Sequence, residues 1–287
     1  MKVETVAPAK PADGIGAQSV DRALRLLSLI GRHCDHGVAL GAIVDESRLN
    51  KPTARRLLMA LMRAGLVEQD VASRRYFLGE GAYVLGTLAS RRYNLLEVAM
   101  ESLKRLAELT ADTAFVSARR ENYAVCLHRE EGAYPVRTHA LMAGYQHPLG
   151  VGAGSLAMLA SMSDEEIDRV LADTAEIRAE AYPNHTDARL RADIAITREQ
   201  GHSLNPGLIV PSSWGIGATI TFPDGRVAGA LSIAAIDSRM TPERQRDIAA
   251  LLTTETRKVE RKLARMFTAG QERGAKSQTP APAQTME

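Results

Sequence analysis

Three helical periodicities and two short extended runs follow one another in the first 80 residues. In "QSVDRALRLLSLIGRH" the apolar residues Val20, Leu24 and Leu27 fall at i, i+4 and i+7, one face of a helix. Ser19 is placed to cap that helix and Gly31 to stop it. A shorter helical run, "VALGAIVDES", carries Leu40, Ile43 and Val44. After the turn "SRLN", the stretch "KPTARRLLMALMRAG" spaces Leu57, Leu58, Leu61 and Met62 along one stripe. Pro52 suits the first helical turn, where its missing N–H costs nothing, and Gly65 suits the left-handed position past the end. "LVEQD" and "RRYFLG" then read as two short strands around "VAS". Three helices and a hairpin in roughly 60 residues outline a winged helix-turn-helix.

Residues 81–94 are weakly helical and suit a linker helix. "LLEVAMESLKRLAELT" then puts Leu96, Ala99, Leu103 and Leu106 on one face. The runs "TAFVSARR", "YAVCLHR" and "YPVRTHAL" are strand-like, and the glycine-rich "HPLGVGAGSLAMLASM" leads into another helix. "SDEE" fits a capping box, with Ser163 as the cap and Glu166 three residues on. Leu190, Ile194 and Thr197 continue a helix that Gly201 ends. "GIGATITF" and "RVAGALSIAAI" flank the turn "PDG" as strands. A long last helix has Thr241 as its cap and Pro242 at its first position. Residues 1–17 are expected to be a flexible arm, and the polar, proline-containing residues 267–287 a disordered tail. The expected fold is α+β. A winged helix-turn-helix over residues 18–80 and a linker helix over 81–94 precede a domain over 95–266 with a central antiparallel sheet. Helices on one face of that sheet would leave loops to wall a pocket on the other.

Composition narrows the class. Hydrophobic content of 45% with 24% charged residues suits a soluble globular chain, and 287 residues suit two domains. No run of about 18 apolar residues occurs, which excludes a membrane helix at the level of sequence. Cys34 and Cys126 are far apart, give no disulfide framework or zinc spacing, and suit a reducing cytoplasm. The net charge is only +2, but residues 18–80 hold ten basic and seven acidic residues, so positive charge gathers on the first unit.

That distribution directs attention to the third helix. Lys51, Pro52, Thr53 and Arg55 lie at its N-terminal turn, the end that commonly enters a major groove. Thr53 can donate to a phosphate or base, and Arg55 can reach guanine O6 and N7 together. Arg56 can clamp a phosphate, as can Arg74 and Arg75 on the second wing strand. A charged, merely solvated helix is the competing interpretation, and Arg63 fits it.

The glycine-rich loop is the second candidate site. Gly152, Ala153 and Gly154 allow close approach to successive amides at a helix start, which attract a carboxylate. Trp214, beside Gly215, can stack on an aromatic ligand or sit in the core. "GVGAGS" lacks the Lys-Ser/Thr of a phosphate loop, and "SSWG" is no nucleophile elbow. Cys126 and His128 share a strand face, with His139 and His147 further on, but no third ligand stands at a metal-binding interval. No catalytic residue, metal or cofactor is expected. A catabolic enzyme using the C-terminal pocket is the alternative function.

The order "QSVDRALRLLSLI", "LNKPTARRLLMALMRAGLVEQD" and "RRYFLG" resembles the IclR-type family of bacterial transcriptional regulators. The resemblance continues through "HPLGVGAGSLAML", "REQGHSL", "PDGRVAGALSI" and "RMTPE", covering roughly residues 18–266. It implies a winged helix-turn-helix joined to a GAF-like effector-binding domain, acting in the cytoplasm to control a catabolic operon. The implied partners are partly palindromic double-stranded DNA, a small-molecule effector and a second copy, as a dimer or dimer of dimers. Small glycines and apolar neighbours in place of a carboxylate point to a small carboxylic acid effector, hydrophobic or aromatic in body. By the same resemblance Ala153 and Gly154 take backbone-binding positions, and Asn205, Gly215 and Ser232 take side-chain-lined ones. Three positions depart from the family pattern. Pro52 replaces a usual Ser or Thr, Asn205 stands where an acid is common, and Ala234 stands where some members carry a second serine.

Overall fold

A computed structural model describes residues 17–34, 36–90, 94–136 and 141–277. The chain forms two compact units, the first reaching residue 94 and also taking in residues 125–128 and 141–146.

The first unit contains α1 (Gln18–Arg32), α2 (Leu40–Ser47), α3 (Lys51–Arg63), β1 (Val67–Gln69), β2 (Tyr76–Leu78) and α4 (Glu80–Ser90). Its core joins Leu26, Leu29 and Ile30 of α1 to Ile43 of α2 and to Leu57, Leu58 and Leu61 of α3. Each such side chain contributes about 1.5–3 kcal/mol on burial. The α3 cap, where Asn50 Oδ1 accepts from the Thr53 amide at 2.9 Å, is worth about 1 kcal/mol, so packing rather than capping holds α3. Pro52 lies in the first turn of α3, and Gly65 follows its end at φ +69°.

Helix α1 differs from the sequence expectation. Val20 and Leu24 are 55% and 51% exposed, because α1 is apolar on two sides and the helix contacts take the side bearing Leu26, Leu29 and Ile30. Nor does Ser19 cap it: the helix starts at Gln18 after Ala17, with no side-chain cap, and runs one residue past Gly31. The wing pairs β1 with β2 antiparallel, Val67 opposite Leu78 and Gln69 opposite Tyr76. Val38, from the segment between α1 and α2, bridges Tyr76 through two backbone hydrogen bonds of 3.0 and 2.9 Å.

The second unit contains α5 (Leu95–Thr110), β3 (Thr113–Arg120), the two ends of β4 (Tyr123–Glu130), most of β5 (Gln146–Pro148), α6 (Ala153–Ala160) and α7 (Asp164–Asp173). It continues with α8 (Ala175–Ala181), α9 (Asp187–Gln200), β6 (Ser203–Pro206), β7 (Ser213–Thr221), β8 (Val227–Ile236) and α10 (Pro242–Ser277). The strand order in the six-stranded sheet is β5-β4-β3-β8-β7-β6, with antiparallel ladders from β3 to β6. Both faces carry helices, where the sequence suggested one. Helix α6 packs on β6, β7 and β8 with α9 behind it, while α5 and α10 pack on each other and on the opposite face. The residues separate accordingly: a Cβ at Gly217 would run into α6, whereas one at Gly229 would meet Leu95 of α5. Every residue of α6 is buried, as expected for a helix apolar all round.

Local chemistry sets the helix ends. Ser163 Oγ accepts from the Glu166 amide at 3.3 Å, but the Glu166 carboxylate pairs with Arg119, so the capping box closes only on one side. Gly201, at φ +73°, stops α9, and Thr241 Oγ1 accepts from the Arg244 amide at 3.4 Å to start α10. Buried Arg178 ties the α7–α9 corner by donating to Leu171 O, His185 O, Thr174 Oγ1 and Asp187 Oδ1. Residues 134–136 carry no strand, and α10 runs to Ser277, well into the stretch expected to be a disordered tail. Residues 1–16, 35, 91–93, 137–140 and 278–287 lie outside the described residues, and with them most of the arm, the end of the linker and His139.

His147 and His185 are both buried, with Tyr182 at ring distances of 5.5 and 6.1 Å from them. Burial pushes each imidazole down to about 4, against an ordinary value of 6.5. The unfolded chain therefore binds more protons than the folded one between those values, and stability is lost as the pH falls through that window. Urea denaturation should give a free energy of unfolding that declines from pH 6.5 toward pH 4 (about the two limits set by these groups), and His185→Gln should flatten the slope. A wild-type slope unchanged by the substitution would contradict this assignment.

Candidate DNA interface and effector site

On α3 the inward residues are Ala54, Leu57, Leu58 and Leu61, which leaves Lys51, Pro52, Arg55 and Arg56 exposed and Thr53 half-buried. Among the described residues, the side chains of Lys51, Arg55, Arg56 and Arg63 make no hydrogen bond or ion pair. The N-terminal turn of α3 therefore offers cations free to meet a polyanion, held on a helix fixed from behind.

The wing arginines behave differently from each other. Both precede β2 instead of lying on it. The turn is closed by Asp70, whose Oδ1 accepts from the Ser73 amide at 2.7 Å and from Ser73 Oγ at 2.6 Å. Arg74 sits in that turn at φ +57°, with its carbonyl accepting from Gln69 Nε2 at 2.8 Å. Arg75 turns back, its Nη1 donating to Gly37 O at 3.0 Å and His36 O at 3.3 Å. Arg75 thus also ties the wing to the α1–α2 segment through one guanidinium nitrogen, while the residue itself stays exposed. Gly37 is required there: at φ +62°, any Cβ would lie 2.4 Å from Cζ of Phe77.

In the second unit, the start of α6 abuts the sheet. Gly152 caps the helix at φ +87°, and the first intrahelical bond runs from the Leu156 amide to Gly152 O at 2.8 Å. The amides of Ala153, Gly154 and Ser155 thus begin the helix with no partner one turn back. Ser155 Oγ closes the preceding loop, accepting from the Gly150 amide at 3.1 Å and donating to Pro148 O at 3.0 Å. A Cβ at Gly154 would lie 3.2 Å from Ser232 Oγ, and one at Gly215 would lie 3.2 Å from Ala153 Cβ. Asn205 pairs across the sheet with Gly215 and so shares its face. The structure therefore gathers Gly152, Ala153, Gly154, Asn205, Gly215 and Ser232 around the helix start.

Trp214 is the exception. It pairs with Pro206 and Ala235, one residue out of step with Gly215, so its side chain leaves the opposite face of the sheet. Its placement as a stacking platform beside α6 is corrected on that ground. Two contributors went unnoticed in the sequence. Ser203 Oγ donates to Ala153 O at 2.6 Å, and Gly217 lets the α6 backbone touch β7. The signal was present in "WGIGA": glycines at alternate strand positions mark one face approached by another backbone.

A Cβ at Gly217 would stand 2.7 Å from Ala153 C and O and from the Gly154 amide. Gly217→Ala is expected to cost about 1–3 kcal/mol, since backbone must move. Gly86→Ala, within α4 and with nothing inside 4 Å, should be neutral or stabilising in the same thermal denaturation series. Equal behaviour of the two variants would refute the close-contact account.

A winged helix-turn-helix with an uncommitted basic helix, in a chain that also carries a sheet domain of its own, is the make-up of a DNA-binding regulator. Residues 19–71 match the family model "IclR helix-turn-helix domain", and residues 87–261 match "Bacterial transcriptional regulator IclR C-terminal". The chain belongs to the IclR family of bacterial transcriptional regulators. It is 27% identical over 241 residues to the HTH-type transcriptional regulator BhcR of Paracoccus denitrificans, an alignment covering 81% of this chain and 82% of the relative. The crystal structure of an IclR transcriptional regulator from Alicyclobacillus acidocaldarius superposes with a TM-score of 0.70 at 25% identity, covering 87% of this chain and 100% of that one. An IclR homologue from Microbacterium hydrocarbonoxydans, complexed with 4-hydroxybenzoate, shares the fold at a TM-score of 0.67 and 20% identity, covering 85% of this chain and 98% of that one. The protein is an IclR-family transcriptional regulator. Among the described residues no helix is long and apolar enough to cross a membrane.

Proposed function

We propose that the protein is a cytoplasmic, homodimeric regulator of a catabolic operon, which reads a partly palindromic operator through α3 and answers a small carboxylic acid bound at the start of α6. The observation that carries the DNA half is the uncommitted cationic turn Lys51–Pro52–Thr53 with Arg55 and Arg56 beside it. Arg55 is assigned to a base edge and Arg56 and Arg74 to phosphates, with the wing tip delivering Arg74 to the backbone flanking the groove. Arg75 supports that contact indirectly, by holding the wing. Self-association is supported by α4, where Val84, Leu85 and Leu88 share a helix face and are 46%, 59% and 62% exposed, an apolar stripe that water disfavours. Two copies would set two α3 helices one helical turn of DNA apart, or a multiple of it, and a dimer of dimers would repeat the arrangement.

The carboxylic-acid effector is supported by the free amides of Ala153 and Gly154, with the hydroxyl of Ser232 beside them. The 4-hydroxybenzoate of the Microbacterium homologue is an acid of this kind. An aromatic ring gains no support from Trp214, which faces the other way. Differential affinity of the acid for two arrangements of the dimer would alter operator affinity.

Gel shifts with the intergenic DNA beside the protein's own gene test the reading. Affinity should drop steeply as salt rises, by the release of counterions from contacted phosphates. Arg55→Ala should cost about 1–3 kcal/mol and relax base preference at one position, whereas Arg74→Ala should weaken all sequences alike and lower the salt slope. Equal, sequence-independent losses from both would remove Arg55 as a reader, and salt-insensitive binding would sink the interface.

A further inference from the structure

Met59 is 47% exposed in the middle of α3. The other large apolar residues of that helix are engaged from behind: Leu57, Leu58 and Leu61 are core, and half-buried Met62 packs against them. At about 100° per residue, Met59 stands opposite that stripe and two turns beyond Pro52 on the same line. Arg55 and Arg56 lie to either side of the line one turn before Met59, and Arg63 follows one turn after it. The outward face of α3 thus has an apolar midline between uncommitted cations. Helix formation does not call for methionine at this position, because glutamine, lysine and arginine have about the same propensity. A lone exposed side chain elsewhere would need no explanation, but this one occupies the centre of a surface that is desolvated whenever α3 meets a groove.

The major groove has the same layout in cross-section. Phosphates line its rims, and the apolar group on the floor of unmodified DNA is the C5 methyl of thymine. We infer that Met59 is a specificity-determining residue that reads a thymine methyl in the operator. The inference rests on the reading of α3 as the groove-facing helix. Four residues advance roughly 6 Å along α3, against about 3.4 Å per base pair, so this thymine lies within about two base pairs of the base that Arg55 contacts. The thioether is unbranched and polarizable, and it seats against a methyl while its neighbouring arginines hold a base edge and a phosphate. Cytosine is rejected at the same place, because its amino group would lose water and gain only the weak acceptor of a thioether.

The test is uracil interference with the full chain and the intergenic DNA beside its own gene. Uracil placed at random in the stead of thymine removes the C5 methyl and leaves the hydrogen-bonding edge intact, so each weakened position reports a methyl contact. With the wild type, uracil at one position in a half-site should weaken binding about fourfold, the worth of one buried methyl. Met59→Gln keeps side-chain length and helix propensity. It should weaken binding to the natural DNA by a similar factor and show no further loss with uracil at that position, whereas Met59→Leu should keep the uracil effect. Thermal midpoints of both variants should match the wild type, since Met59 lies outside the core. A wild type indifferent to uracil at every position overturns the inference, as does a Met59→Gln variant that retains the full uracil effect. If Met59→Gln and Arg55→Ala both bind like the wild type, α3 is not the reading helix and the inference falls with that reading. Unchanged binding by Met59→Gln alone leaves α3 in the groove and removes only the methyl contact.

Discussion

The contact between the backbone of α6 and the middle of β7 is the constraint on which the second unit depends. Gly217 has no room for a methyl group against Ala153 and Gly154, and the approach is pinned by hydroxyls: Ser203 Oγ donates to Ala153 O at 2.6 Å and Thr219 Oγ1 to Ala157 O at 2.7 Å. Without that approach α6 would stand further from the sheet, the leucines of the surrounding core would lose contact, and the amides at the helix start would open to water. Close packing in an interior transmits such a shift instead of absorbing it. With α6 seated, α9 closes behind it and α5 and α10 cover the other face, so both sides of the sheet depend on dry contacts.

The two candidate sites obey opposite rules. The cations at the α3 turn are exposed and uncommitted, and they owe their position to leucines on the far side of the helix. The groups at the α6 start are buried and interlocked, so that a glycine, a serine and an asparagine each serve packing as well as chemistry. A substitution on the first surface changes what is read and little else. One at the second moves structure and ligand together.

Legibility in the sequence followed the range of the cause. Helix α3 was readable end to end, because Pro52, Gly65 and the leucine stripe are local signals. The same held for Gly201 ending α9 and Thr241 starting α10. The choice between two apolar sides of α1 was not readable, since periodicity reports that a face exists and not which one the neighbours take. Trp214 was misplaced for a related reason. Adjacent strand residues point opposite ways, and only the pairing with Pro206 and Ala235 tells which way is which. Arg75 looks like every other wing cation until the Gly37 carbonyl, distant in sequence, is seen to claim it. The helices on both faces of the sheet could have been anticipated from α6 itself, whose sequence is apolar on every side.

The tie between the wing and the segment ahead of α2 has a geometric consequence. Tyr76 is paired to Val38 and Arg75 to the carbonyls of His36 and Gly37, so the hairpin is fastened to the α1–α2 segment at consecutive residues on each side. The separation of Arg74 from the first turn of α3 is therefore set by the length of that segment. It acts as a ruler: one residue inserted between His33 and Val38 would raise or tilt the wing tip while leaving every residue of α3 in place.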